Sequence, residues 1–340
     1  MCKRIFANQT SEQGDVPFFK IGTIGGTPDA YITRDLFEEY KAKYNYPHEG
    51  EVMITCAGTV GKTIVFDGED AYFQDSNIVW LSNPKQLYIN SFLNYVLSRV
   101  NWNILNSTTI TRIYNDNLRE LVINYPSIKE QEKIVALLSL LDLRIAIQNK
   151  VIEKYESLIK ALRHHLFSTL ESVKEVPVAD LLSYEQPTKY IVSDTEYSNN
   201  TDLTPVLTAN KAFILGYTDE VEGIYDKGPC IILDDFTLDF KIVEFPFKVK
   251  SSAIKILSAK TTVSLRYIFE YLKFLDLNTE EHKRHYIAEI EPMSIELPEE
   301  DTIKSIAFLF DLMDKRRKGL ERDQQLLKSQ KDYLLREIFI

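Results

Sequence analysis

One glycine-rich string looks like a phosphate-binding loop. Residues 56–63 read C-A-G-T-V-G-K-T, which follows the pattern G-x-x-x-x-G-K-[ST] except that Cys56 stands where the first glycine belongs. In a true phosphate loop the lysine opens a helix whose N-terminus faces the phosphates. Here the run T-I-V-F is rich in β-branched residues and leads into a D-G turn, which predicts a strand. We therefore interpret the string as a connection between strands whose lysine reaches solvent or an anion.

A second string has the residue types of a metal-dependent nuclease. Residues 234–241 read D-D-F-T-L-D-F-K, and Asp239 and Lys241 match the D-x-K of such enzymes. A site for a hard divalent cation needs carboxylates that converge from neighbouring strands. These carboxylates crowd one predicted loop instead, which argues against a nuclease.

The histidines and cysteines show no metal-site or nucleophile pattern. His164 and His165 are neighbours on a predicted helix, so their side chains point about 100° apart and cannot bind one metal. The other histidines lack zinc-site spacing and are expected to face solvent. They are His48, His282 and His285. The three cysteines have no C-x-x-C spacing and are expected to be reduced thiols. They are Cys2, Cys56 and Cys230. We predict no catalytic constellation, metal or cofactor for the chain itself.

The chain does carry many polar side chains in predicted loops. Arginine and lysine suit phosphates and guanine edges, and asparagine and glutamine suit adenine edges. The candidates in the first half are Lys20, Thr23, Arg34, Thr59, Lys62, Thr63, Gln74, Ser76, Asn77, Arg112, Asn115 and Asn117. Those in the second half are Thr208, Asn210, Lys211, Thr237, Lys241, Lys248, Lys250, Ser251, Ser252, Lys283 and Arg284. An ordinary solvated loop residue is the alternative for each one.

Net charge limits how such a surface could bind nucleic acid. The formal charge is −10 and the pI is about 5.2, without the basic footprint of a stand-alone binder. We expect the basic residues to be gathered on one face and another subunit to supply part of the phosphate attraction.

The elements that must position these loops occur twice. Pro126 to Phe167 is repeated, in register and without a gap, as Pro298 to Phe339, so the offset is 298 − 126 = 172. The same offset places Asp142 on Asp314. Each repeat therefore consists of a globular piece followed by the repeated segment.

Both repeated segments are predicted to be long helices. Their apolar residues step alternately by four and three, the heptad spacing that keeps one seam facing a partner helix. The seam residues of the first are Ile134, Leu138, Leu141, Ile145, Ile152, Ile159, Leu162 and Leu166. Those of the second are Ile306, Phe310, Met313, Leu320, Leu327, Leu334 and Ile338. A helix of roughly 40 residues is about 60 Å long, more than a small domain needs. We expect the two helices to pair with each other, antiparallel because a globular domain lies between them.

Short β-rich runs between turn residues fill the remaining sequence. The chain of 340 residues, 44% apolar, can hold two domains. The sequence predicts an α/β (α+β) fold: two sheet-rich domains, two long helices that form an antiparallel coiled coil, and a pseudo-two-fold internal repeat. The predicted boundaries are 1–125 and 173–297 for the domains, and 126–172 and 298–340 for the helices. No run has the length and apolarity of a signal peptide or membrane span, so we expect a cytoplasmic protein.

Several strings of the chain match those of a known family. The first helix copy carries P-S-I-K-E-Q-E-K-I-V-A-L-L-S-L-L-D, whereas the second is weaker, with T-I in place of E-Q. The matching strings in the globular pieces are G-D-V-P-F-F-K-I-G-T (14–23), A-G-T-V-G (57–61), A-Y-F-Q-D-S-N (71–77), D-D-F-T (234–237) and F-P-F-K-V-K-S-S-A (245–253). In these strings the chain resembles the specificity subunits of type I restriction–modification enzymes, and the order domain, helix, domain, helix is the most specific part of the resemblance.

The resemblance implies a non-catalytic reader of double-stranded DNA. Each globular domain would be a target recognition domain that contacts one half of a bipartite site through the loop residues named above. The helices would act as a spacer and as a docking surface for two methyltransferase subunits, and restriction subunits would join. S-adenosylmethionine, ATP and magnesium would bind to those partners. The family's first domain usually has a further segment ahead of the position of Met1, so we expect its N-terminal part to be shortened here. A duplicated scaffold that does not bind DNA is the alternative.

Overall fold

The chain forms two compact units. Unit 1 comprises Met1–Gln148 and Gln324–Ile340, and unit 2 comprises Asn149–Asp323. The computed structural model describes residues 1–84, 86–102, 112–208, 213–277 and 285–339. Each unit holds one sheet-rich domain and part of both long helices.

Unit 1 is built from short strands with helices between and after them. Its strands are β1 (Val16–Phe19), β2 (Tyr31–Ile32), β3 (Val52–Thr55), β4 (Thr63–Val65), β5 (Tyr72–Phe73) and β6 (Ile78–Leu81). Its helices are α1 (Arg34–Lys43), α2 (Asn90–Arg99), α3 (Asn115–Glu120) and the beginning of the long helix α4 (Ile128–Ser168).

Unit 2 begins within α4 and adds a second set of strands. They are β7 (Lys174–Pro177), β8 (Leu182–Glu185), β9 (Thr204–Leu207), β10 (Ile214–Thr218), β11 (Cys230–Asp234), β12 (Phe240–Val243), β13 (Lys248–Val249), β14 (Ile254–Ala259) and β15 (Ser294–Leu297). Its helices are α5 (Val178–Leu181), α6 (Leu265–Phe274) and the first part of the second long helix α7 (Glu300–Ile338), whose end belongs to unit 1.

Apart from β8 and the β7–β15 pair of unit 2, the described sheets of the two units share one topology. In the unit 1 sheet β2-β1-β5, β1 pairs antiparallel with β2 and parallel with β5. In the unit 2 sheet β10-β9-β13, β9 likewise pairs antiparallel with β10 and parallel with β13. The antiparallel order β4-β3-β6 likewise matches β12-β11-β14. The duplication inferred from the helices therefore extends to the sheets, and the predicted fold class is confirmed.

The central strand of each unit is buried at every position because it is covered on both faces. Along a strand, successive side chains point to opposite faces. Val52 and Ile54 of β3 pack with Leu93 and Leu97 of α2, while Met53 lies in a separate core rich in aromatic side chains. Strand β11 divides its side chains between two cores in the same way.

Within unit 1 the start of α4 packs against the end of α7. Leu138 and Leu335 are buried together in one small core. Asp142 lies further along α4 than Leu138. It accepts a hydrogen bond from Nζ of Lys331, which precedes Leu335 on α7. Residue numbers thus rise on one helix as they fall on the other, which makes the pairing antiparallel, as predicted.

Within unit 2 the end of α4 packs against the first half of α7. The rings of Phe167 and Phe310 are stacked with centroids 6.4 Å apart. The Arg163 guanidinium lies 5.7 Å from the centre of the Phe310 ring. Phe167, Phe310 and Met313 belong to the same core as Tyr267 of α6. The sheet-rich domain of unit 2 is therefore joined to both long helices through a shared apolar core.

All fifteen predicted seam residues, eight on α4 and seven on α7, are buried or half-buried. Both helices lie inside the predicted segments 126–172 and 298–340. The compact units, however, divide each helix, after Gln148 on α4 and after Asp323 on α7. The predicted four-part division of the chain remains a prediction. In the described ranges no helix is long and apolar enough to cross a membrane.

Candidate nucleic-acid interface

Three loops of unit 1 meet beyond the C-terminal ends of its strands. They follow β1 (20–24), join β3 to β4 (56–62) and join β5 to β6 (74–77). The Ile21 N–H donates a hydrogen bond to Gln74 Oε1 at 3.2 Å, which ties the first loop to the third. The loops therefore form one surface.

The glycines of A-G-T-V-G explain how the β3–β4 loop fits against its neighbours. Gly58 and Gly61 have φ of +66° and +83°, values that a residue with a Cβ rarely adopts. A Cβ at Gly58 would lie 2.5 Å from Ile21 Cδ1, and one at Gly61 would lie 2.1 Å from Trp102 Cδ1. Strand β4 begins at the next residue but one, as expected for a strand connection and unlike a phosphate loop. Lys62, which lies between Gly61 and β4, donates to the Ile24 carbonyl of the β1 loop. The residue as a whole is exposed, so it reaches solvent as predicted, while its ammonium group also binds this carbonyl.

Two backbone hydrogen bonds fix the point where the β3–β4 loop leaves the sheet. The Cys56 N–H donates to the Asn77 carbonyl at 2.7 Å, and the Ile113 N–H donates to the Cys56 carbonyl at 2.9 Å. Main-chain bonds of this kind hold the loop ends in place whatever side chains the loops carry.

Unit 2 repeats both of these bonds. The Asp235 N–H donates to the Ala253 carbonyl at 3.1 Å, and the His285 N–H donates to the Asp235 carbonyl at 3.2 Å. Asp235, like Cys56 in unit 1, directly follows the central strand of its sheet. The two loop surfaces are thus built in the same way on equivalent strands.

Eight of the twelve predicted contacts in unit 1 lie in or beside these loops. They are Lys20, Thr23, Thr59, Lys62, Gln74, Ser76, Asn77 and Arg112. Arg112 belongs with them because its Nη2 donates to the Ser76 carbonyl at 3.3 Å. The structure therefore brings most of the predicted set onto one surface.

The other four predicted contacts of unit 1 lie outside these loops. Arg34 is on α1 and pairs with Asp70. The Thr63 hydroxyl donates to the Asn94 carbonyl of α2 at 3.4 Å, so it faces the helix. The last two are Asn115 and Asn117 of α3. Spacing in the sequence did not separate these residues from the loop residues.

In unit 2 the predicted contacts divide by burial. Asn210, Lys211, Lys283 and Arg284 lie outside the described residues. The exposed ones are Thr237, Lys250, Ser251 and Ser252. Lys241 is half-buried, with its Nζ 4.8 Å from the centre of the Phe213 ring. Thr208 is buried.

Lys248 departs from its predicted place on the DNA-binding surface. Only 3% of it is exposed, its Nζ lies 2.8 Å from Glu220 Oε2, and it donates to the Glu222 carbonyl. A buried cation that already has an anionic partner is not available to a phosphate. We therefore remove Lys248 from the proposed interface.

Sequence reasoning missed two exposed residues beside the unit 1 loops. Arg4 Nε lies 2.9 Å from Asp75 Oδ2 in the β5–β6 loop, and its side chain is 60% exposed. The Tyr114 ring is exposed and lies 5.9 Å from the guanidinium carbon of Arg112. Exposed tyrosine can pack on bases or sugars. The signal for Tyr114 was its place in R-I-Y, two residues after a predicted contact.

The acidic string that suggested a nuclease is occupied by internal contacts. Asp235 is 1% exposed, accepts the N–H groups of His285 and Tyr286, and lies 3.3 Å from Lys255 Nζ. In the parts of the chain that the structure describes, no group of three or more His, Cys, Asp or Glu is placed to hold a metal ion. The expectation that His285 faces solvent was wrong, because its main chain is bonded to this buried aspartate and its Nδ1 lies 2.9 Å from Glu289.

The D-x-K aspartate is likewise paired. Asp239 lies 2.6 Å from Lys273 Nζ and 3.2 Å from Lys241 Nζ. Burial opposes its charge, but the hydrogen bond and charge of Lys273, with those of Lys241, outweigh burial and lower the pKa of Asp239. These contacts give the carboxylate a structural role.

In unit 2 a buried ionic network joins α6 to both long helices. Glu270 accepts from Arg163 Nη2 of α4 at 2.7 Å, and Arg266 Nη1 lies 3.4 Å from it. Arg266 also lies 2.7 Å from Asp311 and 3.3 Å from Asp314 of α7. Burial raises the pKa of Glu270, although both arginines oppose that shift. The network fixes how the domain of unit 2 sits on its helices.

Asp314 is expected to make stability depend on pH. Burial opposes its charge, but hydrogen bonds from Lys318 and Arg317 outweigh burial and lower its pKa from 3.8 to about 2. Because the folded value lies below the unfolded one, this stabilisation is present above about pH 4 and is lost as pH falls towards 2. The stabilisation by the ionised carboxylate amounts to about 2 kcal/mol.

Urea titrations should show that the unfolding free energies of wild type and Asp314→Asn converge by about 2 kcal/mol between pH 5 and pH 2. A pH-independent difference would contradict this role.

In unit 1 the equivalent aspartate makes different contacts. Asp142, which the 172-residue offset places on Asp314, accepts from the Tyr95 hydroxyl of α2 at 2.8 Å and from Lys331 of α7. The same carboxylate position thus joins the domain helix to the helix pair in both units, through a phenol in one and a guanidinium in the other.

Comparison with known proteins shows what the chain is similar to. Residues 1–157 match the family model described as Type I restriction modification DNA specificity domain. The resemblance predicted from the sequence is confirmed.

Two curated relatives are named as specificity subunits of type I restriction enzymes. A putative type I restriction enzyme specificity subunit of Haemophilus influenzae is 52% identical over 138 residues, which cover 41% of this chain and 36% of that protein. A type I restriction enzyme specificity subunit of Escherichia coli is 43% identical over 132 residues, which cover 37% of this chain and 32% of that protein. The chain thus spans about a third of the length of the curated relatives it matches.

Solved structures share the fold over nearly the whole chain. The crystal structure of a type I restriction-modification system S subunit from M. genitalium has a TM-score of 0.61 at 17% identity and covers 100% of this chain and 92% of that one. A chain from a structure titled for complex assembly and conformational transition of the type I R-M system has a TM-score of 0.53 at 13% identity and covers 94% and 90%.

Proposed function

We propose that the chain is the DNA sequence-recognition subunit of a type I restriction–modification system. The observation that carries this proposal is that each unit has one such loop surface. In both units the same pair of backbone hydrogen bonds holds the loops on equivalent strands. A bipartite target in double-stranded DNA needs two readers of the same architecture with different side chains. The loops of unit 1 would read one half-site and those of unit 2 the other, in the cytoplasm where the DNA lies.

The chain itself would be non-catalytic. Its acidic loop residues are engaged with lysines and backbone N–H groups, which suits a structural role for them. Methyltransferase subunits would bind S-adenosylmethionine, and restriction subunits would bind ATP and magnesium. The partners would also supply part of the attraction to phosphate that a chain of charge −10 lacks.

An exposed apolar face of α4 is the proposed docking surface for a methyltransferase subunit. Leu137, Leu140, Leu143 and Ile147 of unit 1 are all exposed and follow one another at helical spacing. The buried Leu138 faces α7 instead. A group of large apolar side chains left in water on one helix face is typical of an interaction site.

Co-expression with the adjacent methyltransferase tests the proposal. We expect the two proteins to co-purify and to methylate adenines at one bipartite sequence in the host genome. The double variant Leu140→Glu, Leu143→Glu should lose co-purification, whereas the matched variant Lys150→Glu, at another exposed position of α4, should retain it. Co-purification without any site-specific methylation would instead favour a scaffold that does not read DNA.

Lys250→Ala is expected to weaken the assembled complex on all duplex sequences alike. The side chain is exposed directly after β13, where a lysine can contact phosphate without reading a base. The slope of log K against log salt should fall by about 1. Binding titrations at several salt concentrations measure this slope. The control Lys248→Ala, which removes a buried ion pair, should lower stability and leave the slope unchanged. An unaltered slope for Lys250→Ala would exclude it from the interface.

A further inference from the structure

One aromatic side chain is exposed on the loop surface of unit 2. It belongs to the turn between β11 and β12 (235–239), which directly follows the central strand of the sheet. Phe236 is 37% exposed and Thr237 is also exposed, whereas Asp235 and Leu238 on either side of them are buried. Phe236 and Thr237 therefore form the tip of this turn.

Hydrogen bonds on both sides of the tip hold it in place. The Leu238 N–H donates to the Asp234 carbonyl at 2.9 Å, and the Asp234 N–H donates to the Asp239 carbonyl at 3.0 Å. The Phe236 N–H itself donates to Asp234 Oδ1 at 3.0 Å. The backbone that carries the ring is therefore fixed relative to the sheet.

The turn is strained at Leu238. Its φ is +57°, a left-handed conformation that is unfavourable for a residue with a Cβ. In unit 1 the connection between β3 and β4 uses Gly58 and Gly61 for its positive φ angles. Burial of the Leu238 side chain in the core of unit 2 enforces the strained conformation. Strain that the surrounding structure maintains in this way is concentrated at binding sites.

Unit 1 has alanine at the place of this aromatic residue. The backbone hydrogen bonds described above match Cys56 of unit 1 with Asp235 of unit 2. The next residue is Ala57 in unit 1 and Phe236 in unit 2. The two loop surfaces therefore present different apolar groups at one matched position, as two different half-sites require.

The exposed neighbours of the ring are polar. The hydrogen bond from the Asp235 N–H to the Ala253 carbonyl brings the segment after β13 beside the turn. The exposed residues of that segment are Lys250, Ser251 and Ser252. One apolar group among hydroxyl groups and a cation is too small for a protein-docking face. It matches a base-pair edge, because thymine presents a methyl group beside hydrogen-bonding atoms in the major groove.

The exposed fraction of Phe236 decides how the ring can contact DNA. A side chain that wedges between base pairs has to project from the protein, whereas most of the Phe236 surface is covered by its own domain. The part that remains exposed suits contact with a methyl group on the groove floor.

We propose that Phe236 contacts the 5-methyl group of a thymine in the half-site that unit 2 reads. This inference rests on the proposed DNA-recognition function and adds the base and the chemical group that the ring recognises. The contact is made from the major groove, because the methyl group lies there. Thr237, Ser251 and Ser252 are placed to hydrogen-bond beside it, and Lys250 is placed to bind phosphate.

Replacement of thymine by uracil tests the contact without any change in the protein. Deoxyuridine pairs with adenine as thymidine does but lacks the methyl group. The co-purified complex of chain and methyltransferase is titrated with duplexes of its mapped target in which one thymine at a time is replaced. We expect wild type to bind about three- to tenfold more weakly at one or more positions, the effect of one methyl group lost from an apolar contact. Phe236→Ala should no longer distinguish thymine from uracil at one of these positions.

Phe245→Ala is the matched control. This phenylalanine is 41% exposed in the same unit but follows the other end of β12, so the variant should keep the full wild-type preference for thymine. Equal binding of all uracil duplexes by wild type would overturn the contact, as would full thymine preference in Phe236→Ala. Absence of any methylated bipartite site is a different result, because it refutes the proposed recognition function and this contact with it.

Discussion

Phe310→Ala is expected to lower the unfolding free energy of unit 2 by about 3–5 kcal/mol. The Phe310 side chain is 1% exposed and stacks on Phe167, within the core that joins α4, α6 and α7. Truncation would leave a cavity at this junction, which rigid helices cannot close. Urea titrations followed by circular dichroism would measure the loss.

Phe308→Ala is the matched control. This phenylalanine is two residues away on the same helix but is 64% exposed, so its removal should change stability by no more than about 0.5 kcal/mol. Comparable losses in the two variants would show that the helices are not held together by this core.

If the chain reads a bipartite DNA target as proposed, removing one heptad from both α4 and α7 is expected to shorten the unread gap between the half-sites. The helices have 41 and 39 residues, and seven residues of helix correspond to about 10.5 Å. If the paired helices set the separation of the two readers, the unread gap between half-sites should shorten by roughly three base pairs at 3.4 Å each. Sequencing of methylated genomic sites measures the gap directly.

Removing a heptad from α4 alone provides the control. It leaves the two helices unequal and shifts half of the seam out of register, so methylation should be lost rather than moved. The spacer proposal would be refuted by an unchanged gap after the paired deletion.

The long helices could be predicted because heptad spacing is a local pattern. The duplication could be predicted too, since the same segment occurs twice in register. Burial of individual loop residues could not be predicted. Lys248 and Lys250 are two positions apart in one short run, yet the first is an internal ion pair and the second is exposed. What separates them is Glu220, a carboxylate 28 residues earlier in sequence that only the folded sheet brings close.

The weaker second copy of the helix motif also has a physical reason. Gln131 of the first copy is fully buried, with its Oε1 accepting the Ile89 N–H at 2.8 Å and its Nε2 donating to the Pro126 carbonyl at 2.9 Å. Ile303 stands at the equivalent place and is buried in the core of unit 2. A buried amide must have hydrogen-bond partners, whereas isoleucine needs only apolar neighbours, so the two copies meet the same packing demand with different chemistry.

The shared aspartate of the two repeats bears on which domains the long helices can carry. A carboxylate accepts hydrogen bonds from phenols, ammonium groups and guanidinium groups alike. Asp142 and Asp314 already do so with Tyr95 and Arg266. A domain of different sequence could therefore meet this carboxylate with any of these donors, provided that its apolar side chains also pack on the long helices. The long helices could then carry a different domain without a change at either aspartate.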